Sequence, residues 1–344
     1  MLALVTRTER PGAKNIDRYL YLRGSEHRPS SGFEEGRCAC MDDALVSLRN
    51  VTKKYGKFVA LNSASLSVGR GEICGLIGEN GAGKSTLIRI INGLTLPTSG
   101  ELAIFGHTKP EDIRCSRSRI GYMPDANASY PNLSASDNLL VRCMEWGVPR
   151  ANAEGILRLV GLEGAGKKRA GSFSMGMKRR LDLAIALLGD PEFLILDEPT
   201  NGLDPMGIVE VRNMLFDINR RLGKTILISS HNLEELHKLA TRYEFISHGR
   251  ILRSVTAAEL EEGCRKRLVL RVQEPERALL ELRRHVDSKA YIDGPDLFVE
   301  DNQGDSGAIV RLLADAGISV HEAFTEQQSL EEYYVDLVAR EGDR

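Results

Sequence analysis

Ile73-Cys74-Gly75-Leu76-Ile77-Gly78-Glu79-Asn80-Gly81-Ala82-Gly83-Lys84-Ser85-Thr86-Leu87 decides how this chain folds. The apolar run at 73–77 reads as a buried strand, and Leu87, Ile90, Ile91 and Leu94 follow at helical spacing. Between them stands G-x-x-x-x-G-K-S, so strand, glycine-rich loop and helix succeed one another as a phosphate-binding P-loop requires. Glycine lets the backbone turn tightly, and successive N–H groups then point at phosphate oxygens. The loop ends at a helix N-terminus, whose partial positive charge favours an anion. Gly78, Glu79, Asn80, Gly81, Ala82, Gly83, Lys84, Ser85 and Thr86 are therefore the candidate phosphate cradle. Lys84 can reach the β- and γ-phosphates of a nucleotide, and the Ser85 hydroxyl can coordinate Mg²⁺.

A second stretch carries its own control. Gly161-Leu162-Glu163-Gly164-Ala165-Gly166-Lys167 has the same spacing, but Lys168 stands where a hydroxyl is needed and no apolar strand leads in. It reads as a turn between helices.

A length of 344 residues suggests about two domains plus extras. A net charge of -2 supplies no field that would argue for a nucleic-acid partner. Apolar runs such as 183–188 are too short to cross a bilayer, and the N-terminus lacks the order of a signal peptide. Cysteines at 38, 40, 74, 115, 143 and 264 have no zinc spacing and read as reduced thiols of a cytosolic protein.

Residues 1–41 mix Arg, Gly, Ser, Glu and Pro without periodicity and read as a disordered extension, with Met41 as the start of patterned sequence. Segments 44–51 and 59–68 alternate as strands of a half-exposed antiparallel sheet, with Tyr55 before the turn between them. Short strands are expected at 101–105 and 120–124. Helices follow from a capping box at Ser134-Ala135-Ser136-Asp137 to about 146, over 151–161, and from a Ser174 cap to 188. Segment 193–196 runs into Asp197-Glu198 and segment 225–228 into Ser229-Ser230-His231, with a helix near 205–222 between, which is the spacing of a parallel pair. A hairpin at 243–255 closes this part. Beyond 257 the order is strand 267–272, helix 275–285, strands 289–293 and 296–300, helix 306–316, strand 317–323 and helix 329–340, the βαββαβ succession of a small ferredoxin-like domain.

Gly78, Asp197 and His231 thus each follow the C-terminal end of an apolar strand, the edge at which open α/β sheets bind ligands. Asp197 suits a carboxylate that holds Mg²⁺ directly or through water, and Glu198 is placed to orient or deprotonate a water.

Leu194-Ile195-Leu196-Asp197-Glu198-Pro199-Thr200-Asn201-Gly202-Leu203-Asp204-Pro205 resembles the Walker B and D-loop of ATP-binding cassette (ABC) ATPases, and Phe173-Ser174-Met175-Gly176-Met177-Lys178-Arg179-Arg180 their signature motif. The resemblance covers 44–255, and more loosely the C-terminal part with Ser329-Leu330-Glu331-Glu332-Tyr333. It is to the separate ATPase subunit of export systems of the bacitracin and multidrug-resistance group. It implies an α/β P-loop NTPase fold over 42–256, with an antiparallel β subdomain and a helical subdomain at about 127–190, and a small α+β domain over 257–344. It also implies that Tyr55 stacks on adenine, that Ser85 and Asp197 hold Mg²⁺, that Glu198 is the catalytic base and that His231 contacts the γ-phosphate of ATP. Ser174 and Gly176 would face the ATP of a second such subunit, most simply in a homodimer, with Asp204 bridging the pair.

The implied partner is a separate transmembrane permease, which would keep the chain peripheral on the inner face of the cell membrane. Two departures stand out. Met175 and Met177 replace two residues of the usual Ser-Gly-Gly-Gln, and Asp125 occupies the position after Tyr122-Met123-Pro124 that usually holds Gln. A carboxylate there accepts from metal-bound water but cannot donate as an amide does. The alternatives are a soluble ABC ATPase acting outside transport, and a non-catalytic nucleotide-binding module, against which Glu198 and His231 both argue.

Overall fold

A computed structural model describes residues 44–264, 266–285, 289–300, 306–327 and 329–342. The expected N-terminal extension, with Cys38 and Cys40, lies outside them. The chain divides into two compact units, one up to Val255 and one from Thr256.

In the first unit, strands β1 (Ala44–Tyr55) and β2 (Phe58–Gly69) form a long antiparallel hairpin, extended by β4 (Ser99–Ile104) on the other side of β1. Apolar side chains on one face of the hairpin, among them Leu45, Leu61, Leu66 and Val68, are buried, which is why these strands alternate. A second, six-stranded sheet has the order β5-β6-β7-β3-β8-β9, where β3 is Ile73–Ile77, β5 Ile120–Met123, β6 Phe193–Asp197, β7 Thr225–Ser230, β8 Arg242–Ser247 and β9 Arg250–Thr256. Every residue of β3, β6 and β7 is buried, as strands covered on both faces must be. Helix α1 (Lys84–Ile91) lies between the two sheets, and Leu87, Ile88, Ile90 and Ile91 are fully enclosed in their shared core.

Parallel register sets the functional edge. Ile77 pairs with Ser230, Asp197 with Ser229, and Met123 with Leu196. Four adjacent strands therefore end level with one another, and the residues that follow them come to one edge.

Helix α2 (Pro110–Ser116) was not among the expected elements. Its signal is Pro110 at the first turn followed by Glu111 and Asp112. The helical subdomain consists of α3 (Ala135–Trp146), α4 (Ala151–Leu159) and α5 (Met175–Leu187). Ser134 caps α3 by accepting from the Asp137 amide, but the expected capping box is incomplete. The Asp137 carboxylate takes the Ser134 hydroxyl instead of the backbone N–H. The decoy stretch 161–167 forms a 3₁₀ turn at Glu163–Ala165 after α4. Asp204 caps the long α6 (Pro205–Leu222), and Asn232 caps the short α7 (Leu233–His237), which is not among the expected elements.

The second unit opens with α8 (Ala257–Gly263), also unassigned from sequence, although Thr256 and Glu259 make a full capping box. Strands β10 (Lys266–Val272), β11 (Ala290–Asp293), β12 (Asp296–Glu300) and β13 (Val320–Gln327) form an antiparallel sheet ordered β11-β12-β10-β13. This is the split βαββαβ arrangement, with α9 (Pro275–His285) and α10 (Ser306–Asp315) as the crossovers and α11 (Leu330–Gly342) closing the chain. Strand β13 begins three residues later than expected. Gly317 takes φ +76° and the amides of Gly317 and Ile318 bond back to Ala314 and Leu313, so the helix stop consumes the interval. Among the described residues no helix is long and apolar enough to cross a membrane.

Buried Glu244 of β8 gives a pH signature. Ser254 donates to its Oε1 at 2.7 Å and Arg242 at 3.1 Å, yet burial, with Glu72 adding, pushes its carboxyl up to about 7. The folded state thus keeps a proton that the unfolded chain has released, so stability falls as pH rises from the ordinary carboxylate range to about 7. Glu244→Gln removes that loss, which amounts to about 3 kcal/mol at most. Denaturant unfolding between about pH 5 and pH 8 is expected to show a flatter profile for the variant. Parallel profiles would contradict the assignment.

Candidate active site

At the common strand edge a cleft of about 440 Å³ is lined by Glu79, Asn80, Gly81, Gly83, Lys84, Ser85 and Thr86 of the loop. Asp125 after β5, Asp197 and Glu198 at the end of β6, and His231 after β7 also line it. The strand register is what unites them. Two loop glycines are dictated by geometry. Gly83 has φ +113°, and a side chain on Gly78 would run into the backbone carbonyl of Ile246 and sit 2.8 Å from Ile246 Cγ2.

Lys84 is only 6% exposed, and an ammonium so buried needs oxygen partners. Its Nζ donates to Gly78 O at 2.6 Å and to Glu79 O at 3.2 Å, and lies 3.4 Å from Glu198 Oε1. The other Glu198 oxygen, Oε2, lies 2.9 Å from His231 Nδ1, so the tautomer protonated there donates to it. The Glu198 amide bonds to both the carbonyl and the hydroxyl of Ser229. That same Ser229 hydroxyl is 2.6 Å from Asp197 Oδ1, to which it donates. Burial first, and then the Asp197 carboxylate, push the nearby Tyr122 phenol up to about 12. The arrangement can hold a polyphosphate at the loop and present a carboxylate, steadied by a lysine and a histidine, at its terminal end.

Other expected site residues stand outside the cleft lining. Ala82 is buried within the loop, where its carbonyl accepts from the Gly249 amide. Tyr55 ends β1 directly opposite Phe58 of β2, and its ring carries Lys53 Nζ at 4.9 Å. Phe58, not Tyr55, is the aromatic on the cleft wall. Opposed residues of an antiparallel pair share a face, so the alternation around Gly56-Lys57 held the signal for Phe58. Ser174 caps α5 by accepting from the Met177 amide, and the position above Gly176 is open except for Leu203 Cδ2 at 4.0 Å. Met175 packs over Gly202, and the Asp204 carboxylate accepts from the Gly207 amide. Asn201 also lines the cleft. It belongs to the stretch 194–205 that resembles the Walker B and D-loop, where the resemblance implies no role for it.

Fold and cleft together define a P-loop nucleotide-hydrolysing cassette. The family model for ABC transporters matches residues 61–201. The bacitracin transport ATP-binding protein BcrA of Bacillus licheniformis is 37% identical over 297 residues, spanning 86% of this chain and 97% of that protein. The lantibiotic transport ATP-binding protein SrtF of Streptococcus pyogenes is 41% identical over 60% of this chain and 89% of its own length. A dimeric ATP-binding cassette solved in a post-hydrolysis state with ADP and Pi, MJ0796, superposes with a TM-score of 0.56 at 27% identity, over 62% of this chain and 98% of that one. The chain therefore belongs to the ABC transporter family as one of its ATP-binding, ATP-hydrolysing cassettes.

The close approach at Gly78 makes a direct test. Gly78→Ala is expected to destabilise the fold by about 1–3 kcal/mol by overpacking. It is also expected to weaken ATP binding about tenfold or more, because the carbonyl that holds Lys84 must move. Thermal melts and nucleotide titration check both, and unchanged ATP affinity would mean that the loop tolerates the shift.

Proposed function

We propose that the chain is the ATP-binding subunit of an export system, and that ATP hydrolysis in paired cassettes drives a separate membrane permease from the inner face of the membrane. The observation that carries this reading is the cleft itself, in which Lys84 and His231 hold the two oxygens of Glu198 beside the phosphate loop. Similarity to BcrA along almost its whole length favours transport over an ABC ATPase acting elsewhere.

The geometry supports the following roles. The loop amides and Lys84 bind and orient the triphosphate. Glu198 holds the attacking water and takes its proton, and His231 contacts the terminal phosphate while fixing Glu198. Ser85 and Asp197 are hard oxygen donors on the cleft wall, and Ser229 occupies only one Asp197 oxygen. Among the described residues no cluster of three or more His, Cys, Asp or Glu side chains could hold a metal unaided. This donor set suits Mg²⁺, which keeps waters and shares phosphate oxygens. When bound, Mg²⁺ would offset charge on those oxygens. Ser174 and Gly176, at the N-terminus of α5 and away from this chain's own cleft, would meet the ATP of a second cassette, with the Asp204 region alongside. Tyr55 and Phe58 together form the purine platform.

Glu198→Gln keeps the shape of the side chain and removes the base. Hydrolysis is expected to fall about 10²–10⁴-fold, with little change in affinity for Mg²⁺-ATP, and an ATP-bound dimer should accumulate in size measurements. Hydrolysis at the wild-type rate would overturn the role of Glu198. An ATP-saturated monomer would count against homodimer closure. Co-purification of a chain with several membrane spans tests the transport reading.

Removing both rings, Tyr55→Ala with Phe58→Ala, is expected to cost about 1–3 kcal/mol of ATP affinity while leaving tripolyphosphate binding unchanged. The single variants divide that loss between the rings. No loss in the double variant would exclude stacking at the hairpin tip.

A further inference from the structure

Asp125 is gripped from the helical subdomain. Arg179, on the second turn of α5, is almost fully enclosed, and a buried guanidinium demands partners. Its Nη1 donates to the Asp125 carbonyl at 2.7 Å and its Nη2 to Asp125 Oδ1 at 3.2 Å, with Asn201 O at 3.5 Å. Asn201 closes the ring, because its Nδ2 donates to the same Asp125 oxygen at 3.4 Å and its amide bonds to Glu198 O. One connected set therefore runs from α5 through Asp125 and Asn201 to the residue that carries the base.

The segment beyond Asp125 is held in the same way. The Ala128 amide donates to Asp182 Oδ1 of α5, Arg142 of α3 donates to Ala128 O, and Asn138 of α3 exchanges hydrogen bonds with the Tyr130 backbone. A carboxylate can only accept, so it needs donors to fix it. With both donors on Oδ1, Oδ2 remains for the cleft that Asp125 lines. A two-point grip on backbone and side chain also needs the planar fork of arginine. A lysine ammonium is a single point of charge and cannot reproduce it.

We propose that Arg179 is a positioning residue for ATP hydrolysis: it clamps the Asp125 backbone and carboxylate so that Asp125 presents one oxygen to the water shell of the cation–nucleotide complex, tying the cleft rim to α5. This rests on the ATPase reading above. Asp125 and Arg179 act as one unit, in which the charge on each is needed because of the charge on the other.

The test is a double-mutant cycle in the full chain, with Arg179→Gln, Asp125→Gln and the two combined. Arg179→Lys serves as a charge-keeping control that also stands in if Arg179→Gln does not fold. Three quantities are read: kcat and KM for ATP, the thermal midpoint, and Mn²⁺ affinity at saturating ATP by electron paramagnetic resonance in the non-hydrolysing Glu198→Gln background. Each single variant, Arg179→Lys included, is expected to lose about tenfold or more in kcat and about tenfold in Mn²⁺ affinity. KM should stay within about threefold. The double variant, which replaces an ion pair by two amides able to bond each other, should recover to within about threefold of wild type. Unchanged kcat and Mn²⁺ affinity in the Arg179 variants overturns the proposal. So does a double variant that loses the product of the single losses, or a fall in thermal midpoint with Mn²⁺ affinity intact, which is the mark of a purely structural arginine. A wild-type chain without ATPase activity overturns the parent reading, and the inference with it, before any variant is compared.

Discussion

An ammonium group with 6% exposure has to be surrounded by oxygen, and Lys84 satisfies that demand with two loop carbonyls and one carboxylate. Its position fixes the loop from inside, because Gly78 and Glu79 must present their carbonyls to it. It also draws Glu198 towards the phosphate end of the cleft. A polyphosphate entering here meets a cation already placed, held by partners it can exchange for phosphate oxygens. The site is thereby preorganised, and little rearrangement is asked of it at the moment of reaction.

That interaction works only because the strands end level. Lys84 follows β3 and Glu198 follows β6, and β7 lies between them in the sheet. The register that pairs Ile77 with Ser230 and Asp197 with Ser229 sets both distances, and it makes Ser229 a shared support for Asp197 and Glu198. A one-residue slip of a strand turns every side chain to the other face. Because β3, β6 and β7 are buried on both faces, a slip would exchange the side chains packed on either side and misfit both, so the site geometry depends on the close-packed core around it.

The parallel strands, the loop and the helical subdomain were legible because each carries a local pattern: uninterrupted apolar runs, glycine spacing, capped amphipathic helices. The fold of the second unit was legible for the same reason, since its strands and helices alternate cleanly. Elements of five or seven residues, such as α2, α7 and α8, were not found, because they are too short for periodicity and announce themselves only at their starts, by Pro110 with two acidic residues or by the capping side chains of Asn232 and Thr256. Of the residues the structure brings to the cleft, those whose type is chemically marked were named as site residues from sequence. Phe58, Asn201, Ser229 and Arg179 were not, because their part is played through neighbours that only the tertiary structure supplies. Arg179 looked like one basic residue in the run Lys178-Arg179-Arg180, and nothing local distinguishes the enclosed one from its neighbours.

The backbone of Glu198 shows the cost of this arrangement. Its φ is +51°, in the left-handed region that residues with a Cβ seldom occupy. Strain of this kind costs on the order of 1 kcal/mol and persists only where the surroundings over-determine it. Here they do, since the Glu198 amide is held by the Ser229 carbonyl and hydroxyl, and its carbonyl accepts from Asn201. Relaxing φ would break those bonds and carry the carboxylate away from Lys84 and His231. The strained turn is therefore what lets consecutive carboxylates leave β6 with different partners, Asp197 bonded to Ser229 and Glu198 lying between a lysine and a histidine.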